Sequence, residues 1–172
     1  MNVQSAVRQQ LGFWHGTLDQ MLADCGQEVL NKSLPEATIT SIGSIYAHIV
    51  FSEDFIVHGM LQGKPPVYQA QAWGPRLRVQ MPGPPPFLSP EWGRAAKVDL
   101  DSFQGYAKEV YGASDAYLAG LSDADLGRKV NTPAGDQTVG WAVATILGTH
   151  APQHIGEIAA LKGVQGLKGL PF

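Results

Sequence analysis

Apolar side chains recur every three or four residues along four stretches of the chain, the spacing that draws one stripe down a helix turning ~100° per residue. The first stretch runs from about residue 5 to 29, through Val7, Leu11, Trp14, Leu18, Met21, Leu22, Cys25 and Val29. The second, from about 40 to 61, carries Ile42, Ile45, Ile49, Ser52, Phe55, Ile56 and Met60 on one face. The third starts at Asp99 or Asp101, either of which can cap it, and buries Leu100, Phe103, Ala107, Val110, Ser114, Tyr117 and Leu121. The fourth runs from about 138 to 162 and ends at Gly163. Cys25, in the middle of the first stripe, reads as a small core residue.

The connections differ in kind. Pro35 punctuates the first, and a polar segment over 122–137, with Pro133 and Gly135 as a turn, forms the third. Residues 62–97 hold no helical or alternating period, and eight of the twelve prolines fall between Pro65 and Pro90. Loops longer than ~15 residues are unusual in compact domains. The apolar content here (Tyr68, Trp73, Leu77, Val79, Phe87, Leu88, Trp92) predicts a crossover packed onto the domain. The expected architecture is all-α: a four-helix bundle with a long Pro-rich crossover between helices 2 and 3, in a single domain over residues 1–172.

Composition narrows the function. A 172-residue chain with 44% hydrophobic and 16% charged residues builds a real core. A net charge of −3 without a basic block argues against nucleic acid, which needs clustered Lys and Arg to neutralise phosphates. One cysteine leaves no intrachain disulfide and no Cys-based zinc motif. No leader pattern opens the chain and no apolar run approaches the ~20 residues of a membrane span, so a cytoplasmic, membrane-free protein is expected.

Histidines carry the chemistry. His150 and His154 lie at the centre of the fourth helix's apolar face, among Val143, Ile146, Leu147, Ile158 and Leu161. Imidazoles at i and i+4 project from neighbouring turns, which suits chelation of one metal ion. The alternative is a pair hydrogen-bonded within the core. His48, at the edge of the second helix's buried face, favours the metal. His58 falls on the opposite side and reads as a solvated residue; His15 reads as partly buried at the surface. The residue after His150 is Ala151, so the general base of the zinc proteases is missing. Glu157 shares the histidines' face, as a base, an acceptor for a histidine, or a rim carboxylate. Pro152 removes the amide that would bond the Gly148 carbonyl and predicts a kink between the two histidines.

The segments Ser44-Ile-Tyr-Ala-His48-Ile-Val-Phe-Ser-Glu53 and His150-x-x-x-His154-Ile-Gly-Glu157-Ile resemble the DinB / YfiT-like superfamily, as does the ending Leu161-Lys-Gly-Val-Gln-Gly-Leu-Lys-Gly-Leu-Pro-Phe172. The resemblance spans nearly the whole chain and rests on three histidines. It implies a four-helix bundle holding a metal ion, zinc or nickel, on His48, His150 and His154 with water completing the shell. It also implies frequent homodimers and, in some relatives, thiol-dependent chemistry: S-transfer from bacillithiol or mycothiol, and maleylpyruvate isomerisation. Pro152 between the ligands departs from the pattern.

Three protein ligands leave a coordination position open, as catalytic sites do. The leading expectation is a metal-dependent S-transferase using a low-molecular-weight thiol on an electrophilic small molecule, with Glu157 as catalytic carboxylate. A metal-dependent hydrolase and a non-catalytic, metal-stabilised dimeric binding protein are the competing readings.

Overall fold

Each long helical run begins at a side-chain oxygen that accepts an otherwise unpaired backbone amide. A computed structural model describes residues 2–34, 37–83 and 89–172. Asn2 caps α1 (Val3–Leu22) through the Ser5 amide, and α2 (Gln27–Asn31) is a separate short turn after it. Ser41 caps α3 (Ile42–Asp54) through the Ser44 amide, and α3 widens into a π-helix over Phe55–Leu61. Short pieces follow: α4 (Val67–Ala70), a 3₁₀ turn (Gly74–Arg76) and α5 (Pro90–Ala95). Asp99 caps α6 (Leu100–Ala119) through the Ser102 amide. After α7 (Asp123–Gly127), strands β1 (Lys129–Thr132) and β2 (Gly135–Thr138) pair antiparallel, with Lys129 opposite Thr138 and Thr132 opposite Gly135. Thr138 caps α8 (Val139–Trp141), which passes through a π-helical stretch, Ala142–Leu147, into α9 (Gly148–Val164).

The protein is therefore mostly helical, as expected, with several departures. The first helix stops at Leu22 and not near Val29. Lys162, 2% exposed, reaches from α9 to the Met21 carbonyl and to Asp24, so an ammonium closes the end of α1. Cys25 is buried just past that end, as expected of a core residue. The polar segment over 122–137 is not a plain connection: it folds into α7 and the hairpin, whose turn places Gly135 at φ 86°. α9 stays helical through Pro152, and the wide π turns fall before His150, not between the two histidines. The segment over 62–97 contains α4, the 3₁₀ turn and α5, and Val67, Trp73, Leu77 and Val79 in it are buried. Pro35, Phe87 and Leu88 lie outside the described residues.

One buried carboxylate ties the start of α4 to the end of α3. Asp54, fully buried at the end of α3, accepts from the amides of Val67 at 2.8 Å and Tyr68 at 2.9 Å, where α4 begins. It also accepts from the Tyr106 hydroxyl at 2.6 Å and lies 2.9 Å from His58 Nδ1. This pairing corrects the expectation for His58, whose side chain is only 13% exposed because Asp54 draws it inward.

The hydrophobic core lies in two parts. One gathers Leu18, Met21 and Leu22 of α1, Ile42 to Phe51 of α3, Phe103 to Val110 of α6, and Ala151 to Leu161 of α9. The other gathers Val7 and Leu11 of α1, Ile56, Val57 and Leu61 after α3, Leu118 of α6, and Val139 to Leu147. Between them every long helix carries polar residues: His15 on α1, Ser52, Glu53 and Asp54 on α3, Ser114 on α6, and His150 on α9.

Replacing Asp54 by Ala strands two amides and a phenol that water cannot reach. We expect a loss of about 3–5 kcal/mol, read as a lower urea midpoint at unchanged slope, and a smaller loss for Asp54→Asn.

Candidate metal centre

His48 projects from α3 into the groove that α3 forms with α9, where His150 and His154 stand on successive turns of α9. Five of the residues flanking them, Ile45, Ile49, Ala151, Ile155 and Ile158, are at most 3% exposed. Local sequence explains the placement. Ser41 fixes where α3 starts, and the run from Ile42 to Phe51 is apolar or small all round apart from His48, so the helix is buried on every side and the imidazole with it.

The three imidazoles converge. His48 Nε2 and His150 Nε2 are 3.1 Å apart, and one nitrogen from each of the three lies within 4.8 Å of the others. Ring centroids are separated by 4.9 Å for His48 and His150, and by 4.7 Å for each of the other two pairs. Metal–nitrogen bonds of about 2.0–2.1 Å in a tetrahedral shell bring nitrogens to about 3.3 Å, so the pair already at 3.1 Å needs little movement. Among the described residues these are the one group of three or more His, Cys, Asp and Glu that can hold a metal ion.

Two of the three far nitrogens have partners. His154 Nδ1 lies 2.6 Å from Glu157 Oε2, and His48 Nδ1 lies 3.4 Å from Ser52 Oγ. A carboxylate on Nδ1 fixes the tautomer that leaves Nε2 as the free donor and raises its basicity. Burial, reinforced by His150 and His154, pushes the His48 pKa down to about 3. Burial, with His154 adding to it, pushes His150 down to about 4. Both rings therefore stay neutral at ordinary pH, the form that binds a metal. Three ring nitrogens turned toward one point cannot all pair with each other: one N–H to N bond satisfies two of them. That leftover valence, with the outer acceptors in place, fits a metal ion.

The other histidines stand apart. His15 Nε2 is 2.9 Å from Glu53 Oε2, and its ring stacks on Tyr111 at 3.5 Å between centroids and 10° between planes. The sequence pattern places it partly at the surface; Glu53, 4% exposed on its side chain, holds it inside at 13% exposure. The hydrogen bond from His58 to the Asp54 carboxylate raises the His58 pKa, and this ring belongs to the Asp54 cluster. Sequence reasoning missed Ser52 as a histidine's partner and missed the Glu53 and Asp54 pairings. The signal was present, since Ser52-Glu53-Asp54 is a polar triplet between two apolar runs of one helix.

Fold and site together define a mostly helical protein with a three-histidine cluster between two of its long helices. Residues 13–158 match the family model described as the DinB superfamily, and the chain belongs to that family. A conserved protein from Enterococcus faecalis, known from its crystal structure, has the same fold. It superposes with a TM-score of 0.80 at 18% identity, over 96% of this chain and 99% of that one. No curated protein matches. None of the described helices is long and apolar enough to cross a membrane.

Acid should destabilise the metal-free protein through this cluster. The native pKa values of His48 and His150 lie below the ordinary 6.5, at about 3 and 4. Above about pH 7 neither state is protonated and the pair contributes nothing. As pH falls through 6.5 the unfolded chain takes up protons that the native site refuses, so stability drops until the native rings titrate. The slope is at most about 1.4 kcal/mol per pH unit for each ring. In chelator, urea unfolding of His48→Asn should lose less stability between pH 6.5 and 4 than the parent; parallel curves would remove the cluster as the cause.

Proposed function

We propose that the protein is a metal-dependent enzyme that transfers a low-molecular-weight thiol onto an electrophilic small molecule. The observation that carries this reading is the convergence of three buried histidines with a nitrogen each inside 4.8 Å. His48, His150 and His154 would hold one divalent ion, zinc or nickel. When bound, such an ion lowers the pKa of a thiol or water at its open position and so supplies a nucleophile near neutral pH.

The chain's own residues do the rest. Ser52 and Glu157 orient the His48 and His154 rings, and Ile45, Ile155 and Ile158 keep bulk water from them. Glu157 uses one oxygen for His154, and in this reading the other takes up the proton that the thiol loses. The same reading takes α1, α3, α6 and α9 as a four-helix bundle and residues 62–97 as its Pro-rich crossover, placed so that α5 borders the site. With water in place of the thiol, the same residues would serve a hydrolase.

A second reading, a metal-stabilised dimer without turnover, draws on Phe13 and Phe172. They are 54% and 73% exposed, with ring centroids 6.0 Å apart, and form an apolar face fit for another copy.

Elemental analysis of untagged protein should find one zinc or nickel ion per chain, lost in His154→Ala. Glu157→Gln should keep the ion but bind it about 10- to 100-fold more weakly. Thiol-stimulated turnover of an electrophile should vanish with the ion. Thiol-stimulated turnover that persists in His154→Ala would overturn the metal-dependent reading, and turnover indifferent to thiol would favour the hydrolase.

A further inference from the structure

α1 and α6 pack along a seam of their own, apart from the groove that holds the clustered histidines, and a concavity of about 630 Å³ opens in it. Helix spacing builds its wall in two rows. Gln104, Lys108 and Gly112 recur every fourth residue on α6, and Ala107 and Tyr111 form the next row inward. Asp19, in the last turn of α1, lines the same concavity from the other helix.

The inner row is firmly held. Ala107 is buried, and the Tyr111 ring stacks on His15 at 3.5 Å between centroids. Glu53, buried on α3, in turn holds the His15 ring at 2.9 Å. Gly112 keeps the outer row open. A Cβ there meets no described atom within 4 Å, so packing does not call for glycine, and glycine inside a helix is less stable than alanine.

The charges in this concavity are unpaired. Asp19 and Lys108 are of opposite sign, yet neither has a hydrogen bond or ion pair with the other or with any described residue, and the Gln104 amide is free as well. Burial raises the Asp19 pKa against the opposing pull of His15. The concavity thus strips water from the carboxylate and supplies no donor in return. Opposite charges that border one cavity and stay apart are matched by a molecule carrying both signs.

We propose that the α1–α6 seam binds a zwitterionic small molecule of the amino-acid class, its ammonium at Asp19, its carboxylate at Lys108 and an apolar side chain on Ala107 and Tyr111. The volume lies within the range of small-molecule pockets. The site is separate from the metal centre and does not depend on how that centre is read.

Three probes that share one body test it. L-Phenylalanine carries both charges, phenethylamine the ammonium alone and 3-phenylpropionate the carboxylate alone. Each is titrated into the intact chain while the backbone amide NMR signals of Gln104, Lys108 and Gly112 are followed. L-Phenylalanine should shift all three signals and bind about tenfold more tightly than either fragment. Asp19→Asn should lower it to the affinity of 3-phenylpropionate, and Lys108→Gln to that of phenethylamine. Gly112→Leu, which fills the concavity from a position without neighbours, should weaken L-phenylalanine at least about tenfold without lowering the thermal midpoint. Silence of the three signals, equal affinity for the three probes, or a charge variant that binds L-phenylalanine as the parent does would overturn the assignment. So would an unchanged affinity in Gly112→Leu, which places the contact elsewhere.

Discussion

The structure depends on a belt of polar side chains buried across the middle of an apolar core. A polar group removed from water costs free energy unless it is paired, and a charge costs far more. Here the belt runs through all four long helices, and most of its members are matched within it. His15 from α1 meets Glu53 from α3 at 2.9 Å, and Asp54 gathers two amides, a phenol and an imidazole. His48 and His150 meet at 3.1 Å. The His15–Glu53, Asp54–Tyr106 and His48–His150 pairings join different long helices, so the belt specifies which helix faces which, where an all-Leu seam would leave register open. Specificity of this kind comes at the expense of stability, and the two apolar clusters on either side supply the offset.

Helix geometry adapts to that belt. The π-helical stretch Phe55–Leu61 begins where the polar triplet ends, and Ala142–Leu147 ends just before Gly148, two residues short of His150. A π turn admits an extra residue and rotates the turns after it relative to an ideal α-helix, which is why such turns gather at functional sites. In α3 the rotation lets His48 and Ser52 face the groove with α9, while Ile56 and Val57 still reach the second core cluster. In the last helix it lets Val143 and Leu147 serve that cluster while His150 and His154 turn to His48.

The same belt separates the features legible in the sequence from those that were not. The four apolar stripes and the caps at Ser41 and Asp99 are local signals, and the long helices lie close to where they point. His150 and His154 were legible because i,i+4 spacing survives any tertiary detail, and His48 because it stands on an apolar helix. His15 is partly buried as expected, but its partner was not legible, and His58 was misjudged for the same reason. A helical wheel says which side a residue occupies, but not whether a buried carboxylate waits there, and Glu53 and Asp54 are those carboxylates. The hairpin was hidden because its four-residue strands hold too few apolar residues to show alternation. Helix pieces in the crossover were hidden by its prolines, although Pro90 at the first position of α5 is where proline suits a helix.

The carboxylates themselves divide the labour. Asp54, fully buried and saturated with donors, has no lone pair to offer a ligand and acts as a structural clasp between α3, α6 and α4. Glu53 pairs with His15, which is not one of the three clustered histidines. Glu157 differs from both: its side chain is 44% exposed, and among the described residues one of its oxygens is engaged, by His154. An acid that is partly open to water keeps its charge cheaply and can exchange protons with solvent. Three carboxylates lie along two facing helices, two of them sealed to hold the frame and one left at the opening. The chemistry proposed for the groove needs that asymmetry, because a proton released beside the histidines has to leave through a group that touches both the site and the solvent.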